Sequence, residues 1–365
     1  MNILKNIFKT KDTPVHSHDD FWNWFCKNEK NFHKVVKNGR NLETDFFDKL
    51  SPKLNELKDG FFYVTGMFDD NTAELVLTAD GIVKNIVFVE ELVKSAPGLD
   101  GWKFTALKSA LEIKDVSIKM AGFDFNKNNL SFYSNELAEY PDEIDITVIH
   151  DDFNEENKSE IINGIYLFLD NYLGELDFAI SIDNLKFLGK KDIEKELIPI
   201  EKLKDFLSWR QKEFIEKYDG LRYDTKNDSY SLLEADIENG TTLIALVNKE
   251  LLQWNSKASH PWISVLTLKY DGSNNNGMPD KNDYKLLDTI EDKIMLELRD
   301  FDGYLNIGRQ TANGEREINF ACKDFRKPSK IFFEIQKTYS GNFEIEYDIY
   351  KDKYWQTFSR FVSLP

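Results

Sequence analysis

The stretch "YLNIGRQTANGEREINFACKD", residues 304–324, decides how the second half of this chain folds. Two strand-like runs, "YLNIGRQTA" and "EREINFACKD", flank Asn313-Gly314. Asn-Gly supplies the two positive φ angles of a type I′ turn, so the stretch reads as an antiparallel hairpin. Cys322 alternates with Phe320 on the second strand and reads as buried packing rather than as a nucleophile. Outward from the hairpin, "WISVLTLKY" is a strand and "KNDYKLLDTIEDKIMLEL" a helix with Leu287, Ile290, Ile294 and Leu298 at helical spacing. "PSKIFFEIQKTY" is a helix with Pro328 near its first turn. "FEIEYDIYKD" is a strand and "YWQTFSRFV" a short final helix. From Trp262 onward the order is β-α-β-β-α-β, the ferredoxin-like arrangement. "TTLIALVN", a strand, and "KELLQW", a helical turn or two, precede it.

Between the Trp262 strand and its helix lies "YDGSNNNGMPDKNDYKLL", residues 270–287. An EF-hand loop needs oxygen ligands at positions 1, 3 and 5, Gly at 6 and a bidentate Glu at 12. Counting from Asp271, Ser273 and Asn275 fit, but position 6 is Asn276 and position 12 is Asn282. A high-affinity calcium loop is not expected. Asn275, Asn276 and Gly277 suit left-handed backbone, and either Asp280 serves as N-cap or Pro279 takes the first helical position.

The first half is α+β as well. Residues 19–57 read as two helices, the first with Phe21, Trp24, Phe25 and Phe32 near one face. "FFYVTGMF" and "AELVLTAD" form a hairpin, and "NIVFVEELVKSAP" is a helix that stops before Pro97. "WKFTAL", "VSIKMAGFDF", "LSFYSNE" and "EIDITVIH" are strands in a largely antiparallel sheet. A helix beginning near Asn154 carries Ile161, Ile165, Phe168, Leu169 and Tyr172 on one face, with Gly174 past its end. In "FAISIDNLKFL" the alternation of Phe178, Ile180 and Ile182 reads as a strand. The expected organisation is a polar leader at 1–18, an N-terminal domain at 19–197, a connecting helix at 198–220 and a C-terminal domain at 221–365.

A 365-residue chain with 28 Phe has ample material for cores. Its net charge of −17 disfavours broad contact with nucleic acid, which needs clustered Lys and Arg, and suits a basic protein partner. Two distant cysteines, Cys26 and Cys322, exclude a disulfide framework or zinc ribbon and fit a reducing, cytoplasmic setting. No run reaches transmembrane length. In the leader, Ile3, Leu4, Ile7 and Phe8 share a helical face beside Lys5, Lys9 and Lys11; a docked or frayed terminus is preferred over a membrane-surface helix. His16 and His18 lack a third ligand, and His260 before Pro261 reads as a structural corner, so no metal and no cofactor are expected. No Walker loop, G-x-S-x-G, H-E-x-x-H or G-x-G-x-x-G motif occurs.

Arg309, Thr311 and Arg316 around the hairpin turn are candidate binding residues, since paired guanidinium groups suit a carboxylate or phosphate. Cross-strand pairing with Glu315 and Glu317 is the preferred structural alternative. Trp262 and Trp355, with Trp209 and Trp254, are candidate partner anchors or core residues.

"GMPD", the helix with "IED", "GRQTANGEREINF" and "YWQTFSRFVSLP" together resemble the bacterial domain of unknown function 695, over Asp219 to Pro365. That family is similar in turn to the regulator of ribonuclease activity B. The first half resembles a partner region found ahead of that module. The resemblance implies a ferredoxin-like fold without established catalysis, and a relative that inhibits a ribonuclease by binding it. The expected function is a non-enzymatic interaction or regulatory protein that binds a basic protein such as a nuclease. The alternative is a hydrolase-type enzyme whose polar site is assembled from distant residues.

Overall fold

The computed structural model describes residues 13–193, 195–237 and 240–362. The leader helix therefore lies outside the described residues. The chain divides into two compact units, 1–109 with 174–176, and 110–173 with 177–365. The expected N-terminal domain at 19–197 is thus split near Ser109, and its second part joins the C-terminal region.

In the first unit, Ser17 caps α1 (His18–Asn38) by accepting the Asp20 N–H, and Gly39 ends it at φ 63°. Phe21, Phe25 and Phe32 are buried from α1, as is Trp22, whose indole N–H donates to the Leu92 carbonyl. After α2 (Asp48–Leu57), β1 (Phe62–Met67) and β2 (Ala73–Thr78) pair antiparallel. Helix α3 (Val83–Lys94) then crosses over to β3 (Trp102–Ala106), which lies parallel to β2. The sheet order is β1-β2-β3. A helix between two strands of one sheet permits parallel pairing, so β2 and β3 depart from the largely antiparallel pattern expected of this half.

The second unit opens with β4 (Ile118–Met120) and β5 (Phe123–Phe125). Ala121 and Gly122, both at positive φ, turn the expected single strand back on itself. Then come β6 (Leu130–Asn135), β7 (Asp145–His150), α4 (Lys158–Leu173), α5 (Glu175–Ser181), β8 (Asn184–Gly189), β9 (Ile198–Pro199) and α6 (Leu203–Tyr218). Strands β8-β7-β6-β9 form one sheet, with β7 and β8 parallel. Its core holds Ile161, Ile165, Phe168 and Leu169 of α4 with Leu203 and Leu207 of α6.

Helix α5 occupies part of the run expected as a strand through Phe178, Ile180 and Ile182. Five alternating residues are too few to separate the two periods. The chain leaves α4 through Gly174 at φ 81° and returns to the first unit for residues 174–176, where the buried Glu175 carboxylate accepts from the N–H groups of Ala79, Gly81 and Lys108.

The largest sheet has six strands. Its members are β10 (Tyr230–Asp236), β11 (Thr242–Asn248), β12 (Trp262–Lys269), β13 (Tyr304–Ala312), β14 (Glu315–Cys322) and β15 (Glu344–Lys351). Helices α7 (Lys249–Gln253), α8 (Lys281–Glu297) and α9 (Arg326–Tyr339) lie between them in sequence, and α10 (Ser359–Val362) follows β15. The order is β10-β11-β13-β14-β12-β15, every neighbouring pair antiparallel. Strands β13 and β14 form the expected hairpin, with Asn313 at φ 52° and Gly314 at φ 80°. Strand β10 was not anticipated: its residues alternate between exposed and half-buried, so no apolar period marks it.

The 142–217 region and the end of β15 are tied together, which is why no boundary falls near residue 197. Asp142 accepts from Tyr218 Oη, Tyr354 Oη and Lys217 Nζ within 2.8 Å. Asp183 pairs with Lys351 and Lys353, each at 2.7 Å. The three ionic side chains of that second cluster are mostly buried, and removing one partner would strand the other's charge in a poorly hydrated place.

Candidate functional site

A groove lies where β10 and β11 extend the six-stranded sheet past β13. The register aligns Leu232 with Leu246, Leu246 with Arg309, Ile244 with Thr311 and Thr311 with Arg316, so these side chains share one sheet face. The opposite face of β11 carries Ala245 and Val247 into a core with Leu251, Ile263, Trp355 and Phe358. One face of the extension is therefore packed and the other is open.

The pocket on the open face has a volume of about 360 Å³, within the range of ligand sites. Leu232, Ile244 and Leu246 supply its apolar strand side chains, and Met278, Pro279 and Tyr284 line it from the loop before α8 and from α8 itself. Arg309, Thr311 and Arg316 complete the lining. Leu232 is 70 % exposed and lines the pocket beside the half-buried Ile244 and Leu246.

The loop at 271–280 is held by the hairpin turn. Gly277 accepts from the Gly314 N–H and from Tyr270 Oη, and donates its own N–H to the Gly272 carbonyl. A Cβ on Gly277, at φ 80°, would meet the Asn313 nitrogen at 2.9 Å. Asp271 accepts from the Ser273 backbone and hydroxyl, an arrangement that closes a turn. Asp280 caps α8 by accepting from Asn282 and Asp283. The segment that raises the calcium question thus holds Met278 and Pro279 at the groove wall.

The two arginines are neutralised from α8. Arg309 Nη1 lies 2.7 Å from Glu291 Oε2 and Arg316 Nη1 lies 2.8 Å from Asp288 Oδ1. Arg316 Nε donates to Thr311 Oγ1, and its guanidinium lies 5.2 Å from the centre of the Tyr284 ring. Only 2 % of the Arg316 side chain is exposed. Burial pushes the Glu291 carboxyl above its ordinary range, with Arg309 and Arg316 opposing that rise. These carboxylates come from the helix, whereas the expected cross-strand acids do otherwise: Glu317 accepts from Gln310. Around the loop, Asp283 is raised by partial burial and then by the charges of Asp280 and Asp271. The groove is thus charge-balanced at its arginines and acidic at the loop end.

The structure brings Arg309, Thr311 and Arg316 together and places the two tryptophans elsewhere. Trp262 is buried against Phe325, with ring centres 4.9 Å apart, and Trp355 is buried with its indole N–H on the His260 carbonyl. Sequence reasoning missed Leu232, Ile244, Leu246 and Tyr284, and the available signal was the uncharged start of "YSLLEAD". A larger hollow of about 770 Å³ in the first unit is lined by Glu29, Lys30, His33, Asn71 and residues 98–101. It is wide and polar, and His33 Nε2 already bonds the Asn71 carbonyl at 2.9 Å. It offers less apolar surface to desolvate a ligand. Among the described residues no group of three or more His, Cys, Asp or Glu is placed to hold a metal ion, and no helix is long and apolar enough to cross a membrane.

The class defined so far is an α+β protein whose large antiparallel sheet carries an apolar groove beside a helix-paired arginine couple. The model of the family described as "Family of unknown function (DUF695)" matches residues 231–363, which contain all but the first residue of that sheet and the whole groove. No curated protein and no solved structure matches the chain.

Proposed function

We propose that the groove receives an extended segment of a protein partner, one that offers a large apolar side chain to Leu232, Leu246 and Tyr284 and basic residues to the acidic loop end. The single observation that carries this reading is the open apolar face of β10 and β11 at a built pocket. Desolvating the exposed Leu232 favours association, and Asp271, Asp280 and Asp283 select for positive charge. The net charge of −17 supports a basic partner at longer range. Within this reading the elements from β12 to β15 form a ferredoxin-like unit, supported by their sheet order, to which β10 and β11 add the binding floor. The resemblance to a protein that inhibits a ribonuclease by binding it supports a regulatory role for such capture.

A peptide of alternating lysine and leucine, labelled with a fluorophore, tests the chemistry by anisotropy titration against the full chain. The peptide should bind more tightly than its glutamate-leucine counterpart. Leu232→Ser should weaken it about tenfold, the worth of removing one desolvated apolar contact. Equal affinity for both peptides, or indifference to Leu232→Ser, would contradict the proposal.

A further inference from the structure

Strand edges are where chains pair with other chains, and natural proteins blunt them with charged residues, proline or bulges. The described strands of this protein follow that practice with one exception. In the six-stranded sheet, edge strand β10 carries Glu234 and Asp236, and β15 carries Glu344, Glu346 and Asp348. Edge strand β3 carries Lys103, and β8 carries Lys186. The two-residue β9 contains Pro199, and β4 and β5 contain Lys119 and Asp124. Strand β1, "FYVTGM", is the edge of the three-stranded sheet and contains neither a charged residue nor a proline. Its register with β2 runs without a bulge from Phe62 to Met67.

Its outer face is also apolar. Phe62 is 43 % exposed and Val64 is 52 % exposed, both on the sheet face that β2 continues with Val76. The other face of the sheet is the packed one, with Leu75 and Leu77 buried.

We propose that β1 pairs antiparallel with β1 of a second copy of this chain, joining two three-stranded sheets into one of six strands. Charge decides between a second copy and a foreign strand. A strand that pairs with itself across a two-fold axis brings its own residues face to face, so any charge near its middle meets its like. Self-pairing at β10 or β15 would juxtapose acids, whereas at β1 it juxtaposes Val64, Thr65 and their neighbours. A strand designed to capture a charged partner would carry the opposite charge, and β1 carries none. The pairing is independent of the groove described above, which lies on the other unit.

Sedimentation velocity of the full chain over a concentration series tests this, alongside Val64→Lys and Val64→Thr. Position 64 is exposed, so neither change disturbs a core. The wild type should show a reversible dimer that raised salt strengthens by screening the −17 charge. Val64→Lys should raise the dissociation constant by about tenfold or more, because two lysines then face each other at the edge. Val64→Thr, which keeps the strand preference and adds no charge, should retain the dimer. A wild type that stays monomeric, a dimer that survives Val64→Lys, or one lost equally in both variants would overturn the proposal. So would a chain that dimerises only after residues 1–12 are deleted, since the second copy would then not be the native occupant of the edge.

Discussion

Arg316 shows how a charge is accommodated inside this fold. Its guanidinium is balanced by Asp288 and Glu291, donates to Thr311 and lies near Tyr284, so its burial is tolerated without a ligand. Arg316→Met should destabilise the chain by about 3 kcal/mol in urea unfolding, because it leaves Asp288 and the already raised Glu291 with less compensation. Adding Asp288→Asn should recover part of that loss; full additivity of the two changes would contradict the pairing. His260 makes a second residue-scale case. Ser259 donates its hydroxyl hydrogen to the Ser256 carbonyl at 2.6 Å, so His260 Nδ1 is the donor to Ser259 Oγ at 2.8 Å. Nε2 is then left as a buried acceptor, and burial, followed by the charges of Lys323 and Arg222, pushes the imidazole down to about 3. The folded value lies below the unfolded one, so this contribution is present above about pH 6.5 and is lost as pH falls toward 3. Between pH 7 and pH 5 the wild type should lose about 2 kcal/mol more than His260→Gln, measured by urea midpoints at the two values. Equal losses would show that the imidazole is not held neutral. The corner reading of "HPW" found the place of His260 but not its isolation, which depends on Trp254 and Lys323 packing from elsewhere in the chain.

Among the elements, those with a strong local signal were legible. Asn313-Gly314 set the hairpin, Asp280 set the start of α8, and the spacing of Leu287, Ile290 and Ile294 set its buried face. The failures share a physical cause. Strand β10 packs only one face and that incompletely, so it has no period to read, and it forms because β11 offers hydrogen bonds. Helix α5 reads as a strand because its local pattern is short, while Gly174 and the Glu175 anchor act from outside the pattern. The candidate site was half legible for the same reason. Arg309, Thr311 and Arg316 cluster through the hairpin, which sequence specifies, but the apolar floor depends on β10 and β11 adding to the sheet. That addition needs Gly308, at φ 140°, where β13 carries an irregularity between Asn306 and Gly308. A Cβ there would come within 2.2 Å of the Leu246 carbonyl oxygen and 2.8 Å of Val247 Cα. Gly308→Ala should therefore cost about 3 kcal/mol or more of stability, since backbone must move to admit it. A midpoint of unfolding unchanged from wild type would contradict the close approach of β11 to β13.

At the scale of the molecule, the chain's acidity and its division into units are the governing facts. Composition revealed the charge, but not the Asp142 and Asp183 clusters, which join residues some 170 to 210 positions apart within the second unit. No local composition shift reports such a bond. The acidic loop end and apolar floor of the groove underlie the proposal that a partner segment of basic and apolar character sits on β10 and β11. Raised salt should weaken capture of the lysine-leucine peptide while leaving the β1-edge dimer intact, because the two rest on different interactions. Backbone hydrogen exchange of the full chain, read by mass spectrometry with and without that peptide, tests the claim most directly. Added protection is expected at residues 230–236 and 278–284 and none at 98–101. Protection confined to 98–101, or no change at 230–236 with the peptide bound, would contradict it.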